Sequence, residues 1–497
     1  MSQTFTLQPD RSAIDLAPGA AFAPPRRRLR TDRAAICPTS AFSGHPRYVR
    51  CPSETTRPTG PTVRLFNPRL ADYKKTSTKR RSLFCQPDPM RFSPSGLSFF
   101  VPESHQRALH RAVTAAIVLP ATLVAASAFA QVPPPEVTAR SWVLVDATSN
   151  QVLASGNPDE RVEPASLTKL MTAYLVFDAL KSKKINMDQT VMPSESVRRV
   201  RTDESRMFVE ANKPVTVHDL VYGMIVQSGN DAAIALAELV GGSESNFVAL
   251  MNAAAKNIGM KNTHYADVNG MPDPQHYTTA GDLSVLSTRL IRDFPEYYDI
   301  FSVKDFTYNK IRQPNRNRLL WLDPTVDGLK TGHTKAAGYC LIATAKRPLT
   351  GVPDANRRLV AVMMGEPKEH NRVQDSLKML NYGYTAYDAL RLYKADQVIE
   401  SPRIYKGAEN NVKAGVATDQ YITVPKGMGD KVKPTVTHNP LIVAPVKKGQ
   451  QIGTVKMMAD GKEVAQFPLV ALQDVPEAGI VGRLWDSALL MWEKRKQ

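Results

Sequence analysis

The apolar patterning of this chain sets strand-like runs on either side of a helical stretch. An alternating strand at Ser141 to Asp146, a turn at Ala147-Thr148-Ser149-Asn150 and a partner strand at Gln151 to Ala154 come first. Helix-patterned stretches follow, from the run that opens at Pro164 and ends near Leu180 to Val217–Val226, Ala232–Val240 and Thr279 to about Asp293. Three strand-like runs close the block at Val326–Thr331, Tyr339–Ala345 and Arg358–Met364. Strands, helices and strands again predict an α/β sheet packed by helices, with a helical lobe inserted between the early and late strands.

The first helical run opens Pro164-Ala165-Ser166-Leu167-Thr168-Lys169. Ser166 and Lys169 are three apart, so on a helix they share a face one turn from each other, within reach for the amine to take the hydroxyl proton. Serine is also a favoured N-cap and such a lysine is ordinarily solvated, so the pair alone leaves both meanings open. It is, however, the only Ser-x-x-Lys in the chain. Ser228-Gly229-Asn230 falls between two helical runs, where a short polar excursion can aim its hydroxyl and amide into a cleft; the same residues are common at helix boundaries. A second copy, Ser155-Gly156-Asn157, precedes Pro158 and lies upstream of Ser166, so it is assigned to a turn. Lys330-Thr331-Gly332, followed by His333, ends a strand. A lysine and a hydroxyl beside a glycine that permits close approach suit an anionic substrate terminus, and a lone edge lysine also serves to block aggregation.

Three weak motifs in this order, Ser166-x-x-Lys169, Ser228-x-Asn230 and Lys330-Thr331-Gly332, make a strong joint signal. The set resembles the penicillin-recognising serine enzymes. Glu163 to Thr172, Ser228 to Ala232 and Asp327 to Thr334 resemble most the low-molecular-weight D-alanyl-D-alanine carboxypeptidases of Gram-negative bacteria, the penicillin-binding protein 5 and 6 group. The resemblance covers roughly residues 136 to 497. It implies an α/β catalytic domain of the β-lactamase/transpeptidase-like type at 136–395, an antiparallel sheet with packed helices plus a helical lobe. A small all-β domain at 399–475 and an amphipathic helix at 476–497 follow.

The implied activity is serine acyl transfer on peptidoglycan stem peptides, with β-lactam antibiotics as inhibitors. Ser166 is the expected nucleophile, Lys169 its base and Ser228 a proton relay. Asn230, Lys330, Thr331, Gly332 and His333 are the expected binding residues, with the backbone N–H groups of Ser166 and His333 as an oxyanion hole. β-Lactamase is the nearest enzymatic alternative, disfavoured because Glu238, Glu244 and Glu296, the glutamates between the second and third motifs, lack an asparagine four residues on. A non-catalytic peptidoglycan-binding protein is the alternative from another class. No cofactor is implied, and no metal, since the nine histidines show no spacing such as His-Glu-x-x-His.

The formal charge of +17 raises nucleic acid as a partner until its placement is examined. Residues 1–130 hold 19 Lys and Arg against 7 Asp and Glu, which leaves only +5 for the rest, so no nucleic-acid partner is expected. Cysteine is divided likewise, with Cys37, Cys51 and Cys85 early and Cys340 alone thereafter. Residues 1–89 show no sustained periodicity and predict a disordered or mis-annotated leader. Within 90–130, Arg107 and Arg111 precede the apolar run Ala112–Ala128, and Ala128-Phe129-Ala130 ends it, the pattern of a cleaved signal peptide. Translation from Met90 and a periplasmic location follow as expectations. At the other end Ile480, Val481, Leu484, Trp485, Ala488, Leu489, Met491 and Trp492 gather on one helix side, with Lys494-Arg495-Lys496 adding charge for anionic lipid. This predicts peripheral attachment to the inner-membrane surface, the alternative being a helix that packs on the core.

Overall fold

The computed structural model describes residues 132–494. The leader, the signal peptide and the three early cysteines lie outside the described residues, and the Lys-Arg-Lys close lies at or beyond their end.

Strands β1 (Ser141–Asp146) and β2 (Gln151–Gly156) form the expected hairpin. Strands β3 (Val326–Thr334), β4 (Gly338–Pro348) and β5 (Asn356–Glu366) join it in an antiparallel sheet of order β2-β1-β5-β4-β3. The chain thus returns to its starting strand, with Val143 of β1 opposite Val362 of β5. Side-chain alternation divides the sheet between two cores. Val143, Val145, Ile342, Val360, Val362 and Met364 face one, and Leu144, Leu341, Ala343, Leu359, Ala361 and Met363 face the other.

On the first face lie α1 (Lys169–Lys181), α2 (Val217–Tyr222), α3 (Asn230–Gly241), α4 (Glu244–Ile258) and α5 (Ala280–Asp293). Leu170, Met171, Ala173, Val176 and Phe177 bury α1 nearly all round, so it is a central helix. The second face is covered by α6 (Glu369–Ala386), which the sequence pattern had not singled out, nor had it α4. A sheet of near-continuous apolar runs needs cover on both sides, and α6 supplies the second layer.

Out of α6 the chain runs straight into β6 (Tyr387–Tyr393). Then come β7 (Val398–Glu400), β8 (Ala414–Gly415), β9 (Gln420–Pro425), β10 (Val432–His438), β11 (Gln451–Ala459) and β12 (Lys462–Ala471). A second sheet of order β7-β8-β12-β11-β10 and the pair β6-β9 enclose their own core of Val412, Ile422, Val424, Val455, Leu469 and Val475. The two parts are fastened at one buried point. Asp146, with 0% exposure, pairs with Arg357 Nε at 2.7 Å and accepts the Thr423 hydroxyl of β9 at 2.7 Å. Arg357 Nη1 also donates to the Tyr387 carbonyl at 2.9 Å, and Thr423 N–H donates to Gln151 at 2.6 Å. Deleting one member of such a pair costs about 3–5 kcal/mol, because the other charge is left buried alone.

The last helix, α7 (Ile480–Lys494), turns Asp486 and Leu490 inward, and Asp486 accepts the backbone N–H of Lys406. Its apolar side is left outward: Ile480, Val481, Leu484, Trp485, Met491 and Trp492 are 55–82% exposed. Among the described residues no helix is long and apolar enough to cross a membrane.

Candidate active site

Ser166 does not sit on α1 itself but on the tight 3-10 turn Ala165–Thr168 that leads into it. Lys169 opens the helix, and the close winding keeps the pair together, with Lys169 Nζ 3.2 Å from Ser166 Oγ. Lys169 is 1% exposed, and its second contact is a donation to the Asn269 carbonyl at 2.8 Å. Burial pulls its pKa down to about 7 against the partial opposition of Asp267 and Glu204.

The Asn269 carbonyl is aimed by a carboxylate knot. Asp267 accepts the N–H groups of Asn269, Gly270 and Met271 at 2.7, 2.6 and 2.9 Å. Gly270 has φ +89°, and a Cβ there would fall 1.7 Å from the Ala165 carbonyl oxygen, so only glycine lets this loop lie against the Ser166 turn. Behind it, Thr168 donates to the Ala165 carbonyl at 2.9 Å and meets His276 Nε2 at 2.9 Å. Burial lowers the pKa of His276, whose neutral ring accepts the Ala266 N–H at Nδ1.

Ser228 ends the wide turn Gly223–Gln227 in a left-handed conformation (φ 67°, ψ 32°), which is what swings its hydroxyl out of the helical path. Gly229 is glycine for a local reason: a Cβ there would meet Asp231 Oδ1 at 2.8 Å, and Asp231 is accepting Met207 and Val209 N–H groups. Asn230 begins α3 at 3% exposure. Its Nδ2 donates to Glu204 Oε2 at 2.6 Å.

Lys330, Thr331, Gly332 and His333 lie on β3, the edge strand beside the Ser166 turn; a Cβ on Gly332 would stand 3.1 Å from the Pro164 carbonyl. Lys330 is 4% exposed and donates to the Thr331 carbonyl at 3.1 Å. Its pKa is held well below the lysine range by burial, then by Lys169, Arg316 and Arg372. The His333 ring stacks on Tyr339 with centroids 4.0 Å apart.

One cleft of about 510 Å³ gathers these elements, lined by Ser166, Ser228, Asn230, Thr331, Gly332 and His333, while the amines of Lys169 and Lys330 are buried beside it. The lining also includes residues that the sequence did not mark, among them Glu204, Arg316 and Arg372. Glu204 and Arg316 sit on loops, where no periodicity marks them. Arg372 falls on the buried side of α6 with Val373, Ser376, Met379 and Leu380, but an arginine among polar neighbours reads as surface in the sequence. It donates to the Gly332 carbonyl at 3.3 Å, and its Nε finds no protein partner; the same is true of Ser228 Oγ, Asn230 Oδ1 and Asn269 Oδ1. Buried polar atoms are rarely left unpaired, and those of Ser228, Asn230 and Arg372 are on residues that line the cleft, where a polar ligand could satisfy them. Chemically the cleft offers a hydroxyl against an amine near neutrality, and a basic end where Arg316 and Arg372 stand beside the buried Lys330 amine, partly offset by Glu369. Among the described residues no group of three or more His, Cys, Asp or Glu is placed to hold a metal ion.

Residues 128–368 match the family model of the D-alanyl-D-alanine carboxypeptidases of peptidase family S11, and residues 387–477 match that of the penicillin-binding protein 5 C-terminal domain. The chain is 44% identical to D-alanyl-D-alanine carboxypeptidase DacA of Haemophilus influenzae, over 72% of this chain and 91% of that one. It is 40% identical to DacC of Escherichia coli, over 75% and 94% respectively. Among solved structures it is similar to penicillin-binding protein 5 of Haemophilus influenzae, with a TM-score of 0.65 at 44% identity, covering 70% of this chain and all of that one. It is also similar to penicillin-binding protein 6B of Escherichia coli, with a TM-score of 0.56 at 35% identity over 69% and 98%.

Proposed function

The chain belongs to the D-alanyl-D-alanine carboxypeptidases of peptidase family S11 and has their activity and their transpeptidase-like α/β fold with a C-terminal β domain, and from this we propose how its cleft performs the reaction. Ser166 is the nucleophile and neutral Lys169 its base. As Ser166 Oγ bonds to the carbonyl carbon of the penultimate D-alanine of a stem peptide, its proton passes to Lys169 Nζ. Backbone N–H groups of Ser166 and His333 take the developing oxyanion. The C–N bond then breaks, Ser228 relays a proton to the departing D-alanine amine, and water hydrolyses the ester to regenerate Ser166. Lys330 and Thr331 bind the terminal carboxylate, joined by Arg316 and Arg372, while Gly332 keeps β3 close to the nucleophile and Asn230 orients the reacting groups.

The observation that carries this is the 3.2 Å contact between Ser166 Oγ and an amine brought near neutrality by burial. The same nucleophile would be acylated by β-lactam antibiotics. Intact-mass analysis after exposure to benzylpenicillin is expected to show one long-lived adduct on Ser166. Rapid turnover without an adduct would instead indicate a β-lactamase, and no reaction a non-catalytic peptidoglycan-binding protein.

For its setting, the chain is placed in the periplasm, delivered by a cleaved signal peptide within 90–130, with a catalytic domain at 136–395 and a β domain at 399–475. Residues 476–497 hold it to the inner-membrane surface. The outward apolar side of α7 supports the last point, since each large apolar side chain buried in the interface contributes roughly 1.5–3 kcal/mol. Deleting residues 478–497, or replacing Trp485 and Trp492 by Glu, is expected to move the enzyme from the membrane to the soluble fraction with turnover of soluble peptides unchanged. Continued sedimentation of the truncated form with membranes would refute the anchor, and its unfolding would make α7 a core helix.

A further inference from the structure

We propose that Glu204 is a positioning residue that fixes the hydrogen-bond polarity of the cleft: by holding the amide nitrogen of Asn230 it leaves the Asn230 oxygen as the acceptor facing the reacting groups. The inference rests on the acyl-transfer reading of Ser166 and Lys169.

An asparagine amide can in principle present either end, and which end faces a site is set by its partners. Here the partner is a carboxylate, which when ionised only accepts, so the nitrogen must turn toward it; Asn230 Nδ2 lies 2.6 Å from Glu204 Oε2. The other polar neighbour of Nδ2 is Met271 Sδ at 3.6 Å. Both N–H bonds are thereby committed to protein, and Oδ1 is buried with no protein partner. Glu204 is itself held, because Arg201 Nε is 3.3 Å from its Oε1 and its side chain is only 12% exposed. Next along the loop, the Ser205 carbonyl accepts the Asn230 backbone N–H at 2.8 Å, so loop and helix start are pinned together at two points. Without a carboxylate at 204, nothing in this contact would prevent the Asn230 amide from turning over and presenting N–H groups instead.

The carboxylate has a second effect, through charge. The charged and titratable groups that act on the Lys169 amine are Asp267 of the 267–271 loop, Glu204 of the 201–206 loop, Asp231 of α3, Arg316, Lys330 of β3 and His276. Glu204 is among the groups that favour the protonated amine. Neutralising it therefore lowers the Lys169 pKa, and the acid limb of the acylation profile moves to lower pH. A purely structural contact would not move that limb.

The test is a polarity swap in the otherwise intact protein, read as the rate of acylation by benzylpenicillin against pH and as thermal midpoints. Glu204→Gln, which lets residue 204 either donate or accept, is expected to slow acylation about tenfold at the pH optimum. It should also shift the acid limb down by roughly half a pH unit. Asn230→Asp puts two carboxylates in contact and is expected to be worse. Combining Glu204→Gln with Asn230→Asp restores one amide donating to one carboxylate, with an acceptor oxygen left for the cleft and the net charge unchanged, and should recover most of the rate and the parent acid limb. If Asn230→Asp alone fails to fold, recovery of folding in the swap reads the same coupling. A Glu204→Gln enzyme with the parent rate and profile, or a swap no better than Asn230→Asp, overturns the proposal. Either result in a parent that still acylates at Ser166 leaves the catalytic reading standing. A parent that forms no adduct brings that reading down, while the midpoints still report on the Glu204–Asn230 coupling.

Discussion

Ser166→Ala is expected to give a protein that melts with the parent, carries no benzylpenicillin adduct and releases no measurable D-alanine. The hydroxyl lies on the cleft surface, and the contact it makes in the structure is with Lys169 Nζ. Removing it opens no cavity in the core and leaves the amine donating to the Asn269 carbonyl. Stability should therefore change by less than about 1 kcal/mol. Loss of an attacking group that forms the covalent intermediate costs on the order of 10⁴-fold or more in rate. Steady D-alanine release from pure Ser166→Ala protein, above a hundredth of the parent rate, would remove Ser166 as nucleophile.

Lys169→Ala is expected to acylate on the order of 10²- to 10⁴-fold more slowly, the usual worth of a positioned base, while still binding penicillin non-covalently. The parent should show the matching pH dependence. Only the neutral amine can accept the Ser166 proton, so with a pKa of about 7 acylation should fall about tenfold per pH unit below neutrality and level off above it. An unburied lysine would still be climbing at pH 9. A flat profile between pH 5 and 8 in the parent, or a Lys169→Ala enzyme at the parent rate, would assign the proton to another group.

The parts of this arrangement that were legible beforehand are those fixed by short-range geometry. Three-residue spacing near a helix start puts Ser166 beside Lys169 whether the turn is α or 3-10, so the pair survived the difference in winding. That strands from both ends of the block build a sheet packed by helices was legible from their apolar runs, whereas the pairing of β5 with β1 was not. What escaped depends on contacts between residues far apart in the chain. The Asn269 carbonyl reaches Lys169 from 100 residues away, on a loop shaped by Asp267 and a glycine conformation that no periodicity records. Helix α6 was hidden because its buried side carries Arg372, Asp375 and Ser376, which read as surface until their partners are seen. Glu204 lies upstream of Ser228, outside the span between the second and third motifs, and its meaning depends wholly on which atom of Asn230 it touches.

The buried junction at Asp146 bears on how far such an enzyme can reach. Arg357, Thr423 and Tyr387 tie the catalytic sheet to the pair β6-β9 through bonds shielded from water, and Gln151 and Ser149 add contacts to the same strand. A joint of that kind resists bending, unlike a flexible linker, whose ends sample a wide range of separations. An enzyme held by α7 at one end would thus carry its cleft at a nearly constant altitude. Its encounter with substrate would then become a lateral search across one stratum of the wall, with stem peptides above or below that layer left uncut however long the enzyme wandered.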